Sequence, residues 1–320
     1  MSDAKQNKKI SIWQKMAKLL GTKDEADIRA RRKATPGFVL LMTGLAVFHL
    51  IVFYIYLNVE GILLSFQDLE RKWTFGNYLY IFQQFIHDDG IMKESLVNTL
   101  IYWAVGYFVI QTLNVIIAYF FYKKIRWHKF FLSIFYIHNI VGTVVMSLVY
   151  KQVIGPDGPL VEMLLKLGII SERLQFLNDS RYAMMASVGY SLWTLVGSVL
   201  LYSSAAMARI PQSMLEAAEL DGITPFKEFV HIILPAISGT LSTLYLIGIS
   251  GILYASGATL FLTEGMYGTM TFSFWMFHQL YAMNSTGTSA ALGIVLMLIT
   301  IPLVFFAKWL MAKMTSEVEY

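Results

Sequence analysis

Six stretches of this chain, residues 38–58, 96–122, 130–150, 182–206, 236–262 and 289–311, carry no Asp, Glu, Lys or Arg through their central parts. Each is long enough to cross a hydrocarbon layer of about 30 Å as a helix, which takes roughly 20 apolar residues. Inside lipid every backbone N–H and C=O must be satisfied within the protein, so only helices and closed barrels cross. A barrel needs short alternating segments, and these runs are continuous. The expected fold is all-α, with six transmembrane helices. Composition agrees, because charged residues make up only 14% of the chain, against about 25% in a typical soluble domain.

The basic residues set the orientation. Of the 25 Lys and Arg, 18 fall in the N-terminal tail, in 123–129, in 209–227 and near the C-terminus, at Lys308 and Lys313. Cytoplasmic loops carry the excess of Lys and Arg, so both termini are expected to be cytoplasmic. The tail, residues 1–35, is polar and basic and lacks the apolar core of a cleaved signal. Within it, residues 12–20 read either as a helix on the membrane surface or as part of an irregular basic tail. The net charge of +4 is spread between apolar spans, not gathered on one face, so nucleic acid is not an expected partner. The absence of cysteine excludes disulfides, thiolate metal sites and cysteine nucleophiles.

Two loops have local signatures. Gly155-Pro156-Asp157-Gly158-Pro159 is a turn cluster in which Pro fixes φ and Gly permits positive φ, and an amphipathic helix is expected after it over 160–167. The segment 209–235 reads as two short helices around a corner. Ser213 stands three residues before Glu216, a capping-box spacing, and Gly222 is placed to stop the first helix in a left-handed conformation. Thr224 is expected to cap the second helix, with Pro225 at its first position and Pro235 ending it. Ala217 and Ala218 let another backbone approach, and Glu216, Glu219 and Asp221 form an acidic tip. Such a knob suits a groove on a soluble partner.

Glu216-Ala217-Ala218, then Asp221-Gly222, then Ile232, then Leu234-Pro235 resembles the EAA loop of ABC importer permeases. Shorter pieces resemble the branch related to the maltose transporter permeases. They are Leu64-Ser65-Phe66, Asn98-Thr99-Leu100, Trp127-His128-Lys129-Phe130-Phe131, and Val149-Tyr150-Lys151 leading into Gly155-Pro156-Asp157-Gly158. The likeness covers nearly the whole chain beyond Pro36, which makes residues 36–320 the transmembrane domain. One departure is that 265–286 lacks the family's usual glycine-proline run. The resemblance implies a type I ABC importer permease in a bacterial cell membrane, in contact with lipid. It implies partners: ATPase subunits on which the coupling loop docks, a second and non-identical permease, and an external solute-binding protein. It implies a sugar or oligosaccharide as solute, carried by alternating access. Glycerol phosphate or a peptide is the alternative within the class; a stand-alone carrier or channel is the rival outside it.

Several absences fit. No glycine is followed by lysine, so no phosphate-binding Walker loop exists and ATP with its Mg²⁺ belongs on the partner chain; this chain is expected to bind no cofactor. The apolar runs hold no carboxylate to couple transport to protons or sodium. No His/Asp/Glu cluster has metal-ligand spacing and no serine has a base nearby, so no metal site and no catalytic residue are expected. His49 and His138 read as hydrogen-bonding groups within spans. A neutral, hydroxyl-rich solute needs hydroxyls, amides and aromatic faces. The fourth run places Ser187, Ser191, Thr194, Ser198 and Tyr202 at helical spacing, and the fifth offers Gly251 and Tyr254. The second run adds Tyr107, Gln111 and Asn114, which serve equally well as glue between helices. The resemblance favours the fourth and fifth runs, so Ser191, Thr194, Ser198, Gly251 and Tyr254 are the expected substrate path.

Overall fold

The computed structural model describes residues 37–38, 42–86, 90–195, 197 and 200–314. The possible surface helix at 12–20 and the substrate-path residue Ser198 lie outside them. The chain divides into two compact units, Met1–Leu63 and Leu64–Tyr320. Among the described residues every element is helical apart from one isolated antiparallel bridge, Gln67 with Trp73.

The described part of the first unit is essentially one helix, α1 (Met42–Ser65), whose last residues pass into the second unit. Its backbone widens into π-type turns over Leu50–Tyr56. His49 packs its ring against Phe53, 4.8 Å between centroids.

The second unit begins with α2 (Gly76–Ile86) and the long α3 (Ile91–Tyr122). The third apolar run is two helices, α4 (His128–Ile140) and α5 (Thr143–Ile154), separated by an extended Gly142. A short α6 (Pro159–Lys166) follows, where an amphipathic helix was expected. The fourth run is also broken, into α7 (Ala183–Leu195) and α8 (Leu200–Met207). Then come α9 (Gln212–Leu220), α10 (Pro225–Ala236), α11 (Ser238–Ser250) and α12 (Thr259–Leu262). Last are α13 (Phe272–Tyr281) and α14 (Thr286–Met314).

Among the described residues three unbroken helices, α1, α3 and α14, are long and apolar enough to cross a membrane. A fourth span arises if α10 and α11, bent by 74° at their junction, count as one. The other expected spans are not continuous helices. Between α7 and α8, Gly197 takes a φ of 113°, and a Cβ there would lie 3.1 Å from the Phe135 carbonyl oxygen. The N–H freed by this break donates to Asn114 Oδ1 at 2.6 Å, so the break leaves no orphaned donor at that point.

The core of this unit has two main centres. One joins Val115, Ala118, Tyr119 and Phe121 of α3 to Leu200, Ala206 and Met207 of α8 and to Ile233 and Ile237. The other joins Ile81 and Met92 to Phe272 and Trp275 of α13 and to Ala291, Leu292 and Leu296 of α14. Large apolar side chains on the far faces stay exposed, among them Leu148, Leu298, Phe305 and Phe306. A lipid surround covers such faces at no hydrophobic cost.

Polar pins hold α3 at both ends. Near its start Asn98 Nδ2 donates to the carbonyls of Gly268 and Met270, and Thr99 Oγ1 accepts from Phe272 N. Near its end Tyr119 Oη donates to the Pro225 carbonyl. At 1.5 Å per residue these pins stand about 30 Å apart, the thickness of a hydrocarbon core.

The Gly155–Pro159 turn departs from expectation. Gly155 and Gly158 have φ of −62° and −81°, so neither uses positive φ. Their need is for space: a Cβ on Gly158 would lie 2.5 Å from the Gln152 and Val153 carbonyl oxygens.

Candidate functional site

Two regions of the second unit draw together the residues singled out by sequence. The first is a cavity of about 350 Å³ beside the middle of α3. Tyr102, Trp103, Tyr107 and Gln111 line it from α3, Ser191 from α7, and Tyr245 and Gly248 from α11. The chain after α11 leaves helical form, and Gly251, Tyr254, Ser256 and Gly257 complete the wall. Non-helical backbone at membrane depth is tolerated where it is buried in protein or lines a cavity.

The cavity's wall is aromatic and uncharged. Trp103 and Tyr107 stack at 4.9 Å and 25°, and Tyr245 meets Tyr107 edge-on at 5.0 Å. Trp103 Nε1 donates to the Gly248 carbonyl at 2.9 Å, which fixes the indole. Two glycines make the packing possible. A Cβ on Gly257, whose φ is 53°, would lie 2.5 Å from Tyr102, and one on Gly248 would lie 2.9 Å from Tyr107. Gln111 is 8% exposed, and its Nε2 donor has no hydrogen-bond partner.

Of the expected substrate-path residues, Ser191, Gly251 and Tyr254 meet at this cavity. Ser191 Oγ donates to the Ser187 carbonyl at 3.4 Å, and Tyr254 Oη to the Gly293 carbonyl at 3.2 Å. Thr194 is not among the lining residues; its hydroxyl donates to the Tyr190 carbonyl at 2.9 Å. Tyr202 is exposed at 59% and away from the cavity. The two amides of α3 separate in role. Asn114 is spent on the helix contacts, donating to Ile110 O and accepting from Gly197 N, while Gln111 faces the cavity. Tyr102 and Trp103 were missed by sequence reading. Their signal was an aromatic pair followed by Tyr107 one helical turn on, facing a run rich in glycine at 248, 251 and 257.

The second region is the helical corner of α9 and α10. Gly222 takes a φ of 69°. Its N–H donates to Glu219 O and that of Ile223 to Ala218 O, the paired bonds of a Schellman stop. The expected caps are different. Pro211 precedes α9 and Thr224 precedes α10, with Pro225 at the first helical position, and neither start has a side-chain capping bond. Pro235 does not end α10. The helix passes through it to Ala236, widening into π-type turns over Phe229–Ile233, and the bend follows at Ile237. A wider turn accommodates a residue that has no N–H to donate.

The corner has a buried side and an exposed side. Ala218 is buried, as are Ile233 and Ile237, while Ile232 and Leu234 are half-buried and Leu234 packs on the α3–α8 core. Glu216, Ala217, Asp221, Gly222 and Pro235 are exposed. Of the alanine pair, then, only Ala217 is open to an approaching backbone. Leu220, 88% exposed, and Phe226, 75% exposed, add apolar surface that the sequence reading did not single out. Behind the corner lies a cavity of about 770 Å³ of mixed lining, to which Lys123, Lys124, His128, Gln212, Glu219 and Glu228 contribute polar groups. Among the described residues no group of three His, Cys, Asp or Glu is placed to hold a metal ion.

Long apolar helices, an uncharged aromatic cavity beside the middle of one of them and an exposed helical corner define a polytopic membrane protein built to handle a solute. Residues 33–316 match the family described as "Binding-protein-dependent transport system inner membrane component", and the chain belongs to that family. Among curated relatives, it is 27% identical over 286 residues to the arabinooligosaccharides transport system permease protein AraP of Bacillus subtilis (strain 168), covering 85% of this chain and 87% of AraP. It is 25% identical to the lactose transport system permease protein LacF of Rhizobium radiobacter, covering 68% of this chain and 75% of LacF. The fold matches a crystal structure of a bacterial ABC transporter involved in the import of the acidic polysaccharide alginate. The TM-score is 0.77, with 18% identity, over 90% of this chain and 100% of that one.

Proposed function

We propose that this chain is the membrane-spanning subunit of an ATP-driven importer for a neutral sugar or oligosaccharide. The observation that carries the substrate class is the 350 Å³ cavity, whose stacked Trp103 and Tyr107 offer an apolar face and whose Gln111 and Ser191 offer polar groups. A sugar presents C–H faces and a rim of hydroxyls, and few-kcal selectivity comes from pairing both. Among the described residues no Lys, Arg or His lines the cavity, so this chain's share of the pathway offers no cation to a uronate carboxylate. That favours a neutral sugar over an acidic one such as alginate. Relatives named for arabinooligosaccharides and lactose support the same reading.

In this reading the chain crosses a bacterial inner membrane six times, the three broken runs serving as interrupted spans, with both termini and the α9–α10 corner in the cytoplasm. The corner is the coupling loop. Glu216, Ala217, Asp221 and Gly222 belong to the face that meets the ATPase, and Ala218, Ile232 and Leu234 seat the loop on the membrane domain. ATP is hydrolysed by separate subunits, a second permease completes the pathway, and an external binding protein delivers solute. Ser191, Gly251 and Tyr254, joined by Tyr102, Trp103, Tyr107 and Gln111, contact the solute.

The test is uptake by the complex reconstituted with its cognate binding protein, over a panel of neutral oligosaccharides, uronates, peptides and glycerol phosphate. The expected result is uptake of a neutral saccharide that Gln111→Ala and Trp103→Ala reduce without releasing the ATPase. Transport confined to a charged solute refutes the substrate class.

A further inference from the structure

The end of α3 is fastened to the second helix of the corner by directional bonds. Lys123 Nζ donates to Glu228 Oε2 at 2.9 Å. One turn earlier Tyr119 Oη donates to the Pro225 carbonyl at 3.1 Å, and its ring lies 5.0 Å from that of Phe229. Beneath them Ile233 and Ile237 bury themselves against Val115, Ala118 and Tyr119. The apolar contact holds the elements together but is non-directional and sets no register. The polar bonds set it.

Glu228 is a poor stabilising device. It is 8% exposed and lines the cavity behind the corner. Taking a carboxylate out of water for one ion pair with a half-exposed lysine adds little stability, and registry is the best-attested use of such a group. The same α3 carries Trp103, Tyr107 and Gln111, each four residues from the next on one face, into the solute-sized cavity. From Gln111 to Tyr122, the residue before Lys123, is about 17 Å of continuous helix.

We propose that Lys123 and Glu228 are positioning residues that latch α10 to α3, so that the two move as one body. A displacement of the corner then reaches the cavity wall through α3 itself. This rests on the reading of the corner as the coupling loop and of the cavity as the solute path. Lys123 and Glu228 act through the helices they join and touch neither solute nor ATP.

The test uses the whole reconstituted complex and three readouts: pull-down of the ATPase subunit, binding-protein-stimulated ATP hydrolysis, and solute uptake per ATP hydrolysed. Lys123→Glu and Glu228→Lys are expected to keep pull-down and hydrolysis while uptake per ATP falls about fivefold, the usual scale for residues that carry coupling. The double exchange, which restores opposite charges, is expected to recover most of it. Unchanged uptake per ATP in both single variants overturns the proposal, as does a double exchange no better than the singles. Loss of pull-down also overturns it, since Lys123 and Glu228 would then be docking residues. The coupling-loop reading is scored separately by Glu216→Lys, which is expected to lose pull-down and which leaves the latch untouched. A second arm does not depend on the charged variants folding. The chain has no cysteine, so Lys123→Cys with Glu228→Cys can be joined by a short bismaleimide. The tether is expected to restore uptake per ATP. A tether that abolishes uptake shows that α3 and α10 must separate, and overturns the latch.

Discussion

Replacement of Gly222 tests the backbone conformation at the corner without a steric clash inside this chain. Its φ is 69°, and a Cβ built there meets nothing within 4 Å. A larger side chain therefore collides with nothing in this chain, and the cost is conformational. An L-residue in the left-handed region loses roughly 1–2 kcal/mol. Asn tolerates that region several-fold better than most residues, whereas for a β-branched residue it is a true outlier. Gly222→Asn should therefore be nearly silent, Gly222→Ala intermediate, and Gly222→Val most severe. If the strain falls on the docked loop, 1–2 kcal/mol is about a five- to thirtyfold loss of ATPase affinity for the alanine variant. The assay is titration of the ATPase subunit onto the reconstituted membrane subunits, followed by hydrolysis stimulated with liganded binding protein. Insertion into the membrane and docking of the binding protein should be unchanged, because the corner buries little beyond Ala218 in its first helix. Two results refute the reasoning. One is normal ATPase binding by Gly222→Val. The other is an asparagine variant as damaged as the valine one, which places the effect in side-chain bulk at the interface and not in φ.

Other outcomes follow from the same geometry. Trp103→Ala removes a stacked plate and the bond to Gly248, and should raise the solute concentration for half-maximal uptake about tenfold, roughly 1.4 kcal/mol, with ATPase binding intact. Gly287→Ala would set a Cβ 2.4 Å from the Gln67 carbonyl oxygen and 3.0 Å from that of Leu64. Such overpacking costs about 1–3 kcal/mol, so the purified protein should melt at lower temperature. In intact cells an impermeant thiol reagent should label Trp73→Cys, at an exposed position, and leave Arg126→Cys and Leu220→Cys unlabelled. Labelling at 126 or 220 contradicts cytoplasmic placement of both segments.

The sequence by itself determined that the chain is a helical membrane protein and where its helical corner lies. Both are local properties. Hydropathy sums along the chain, and the Gly222 stop needs only one residue free to take positive φ followed by the paired bonds that Gly222 and Ile223 make. Tertiary structure decided what depends on neighbours distant in sequence. Gly197 interrupts a run that hydropathy reads as continuous, because Asn114, 83 residues earlier, accepts its N–H and Phe135 crowds its Cα. Gln111 and Asn114 are indistinguishable as letters, yet one is consumed in packing and the other faces the cavity. Trp103 and Tyr107 became cavity walls only because Gly248 lets α11 come close enough to pack on them. The pairing of Lys123 with Glu228 spans 105 residues. Nothing in either local segment specifies it; it exists only where the end of α3 meets α10.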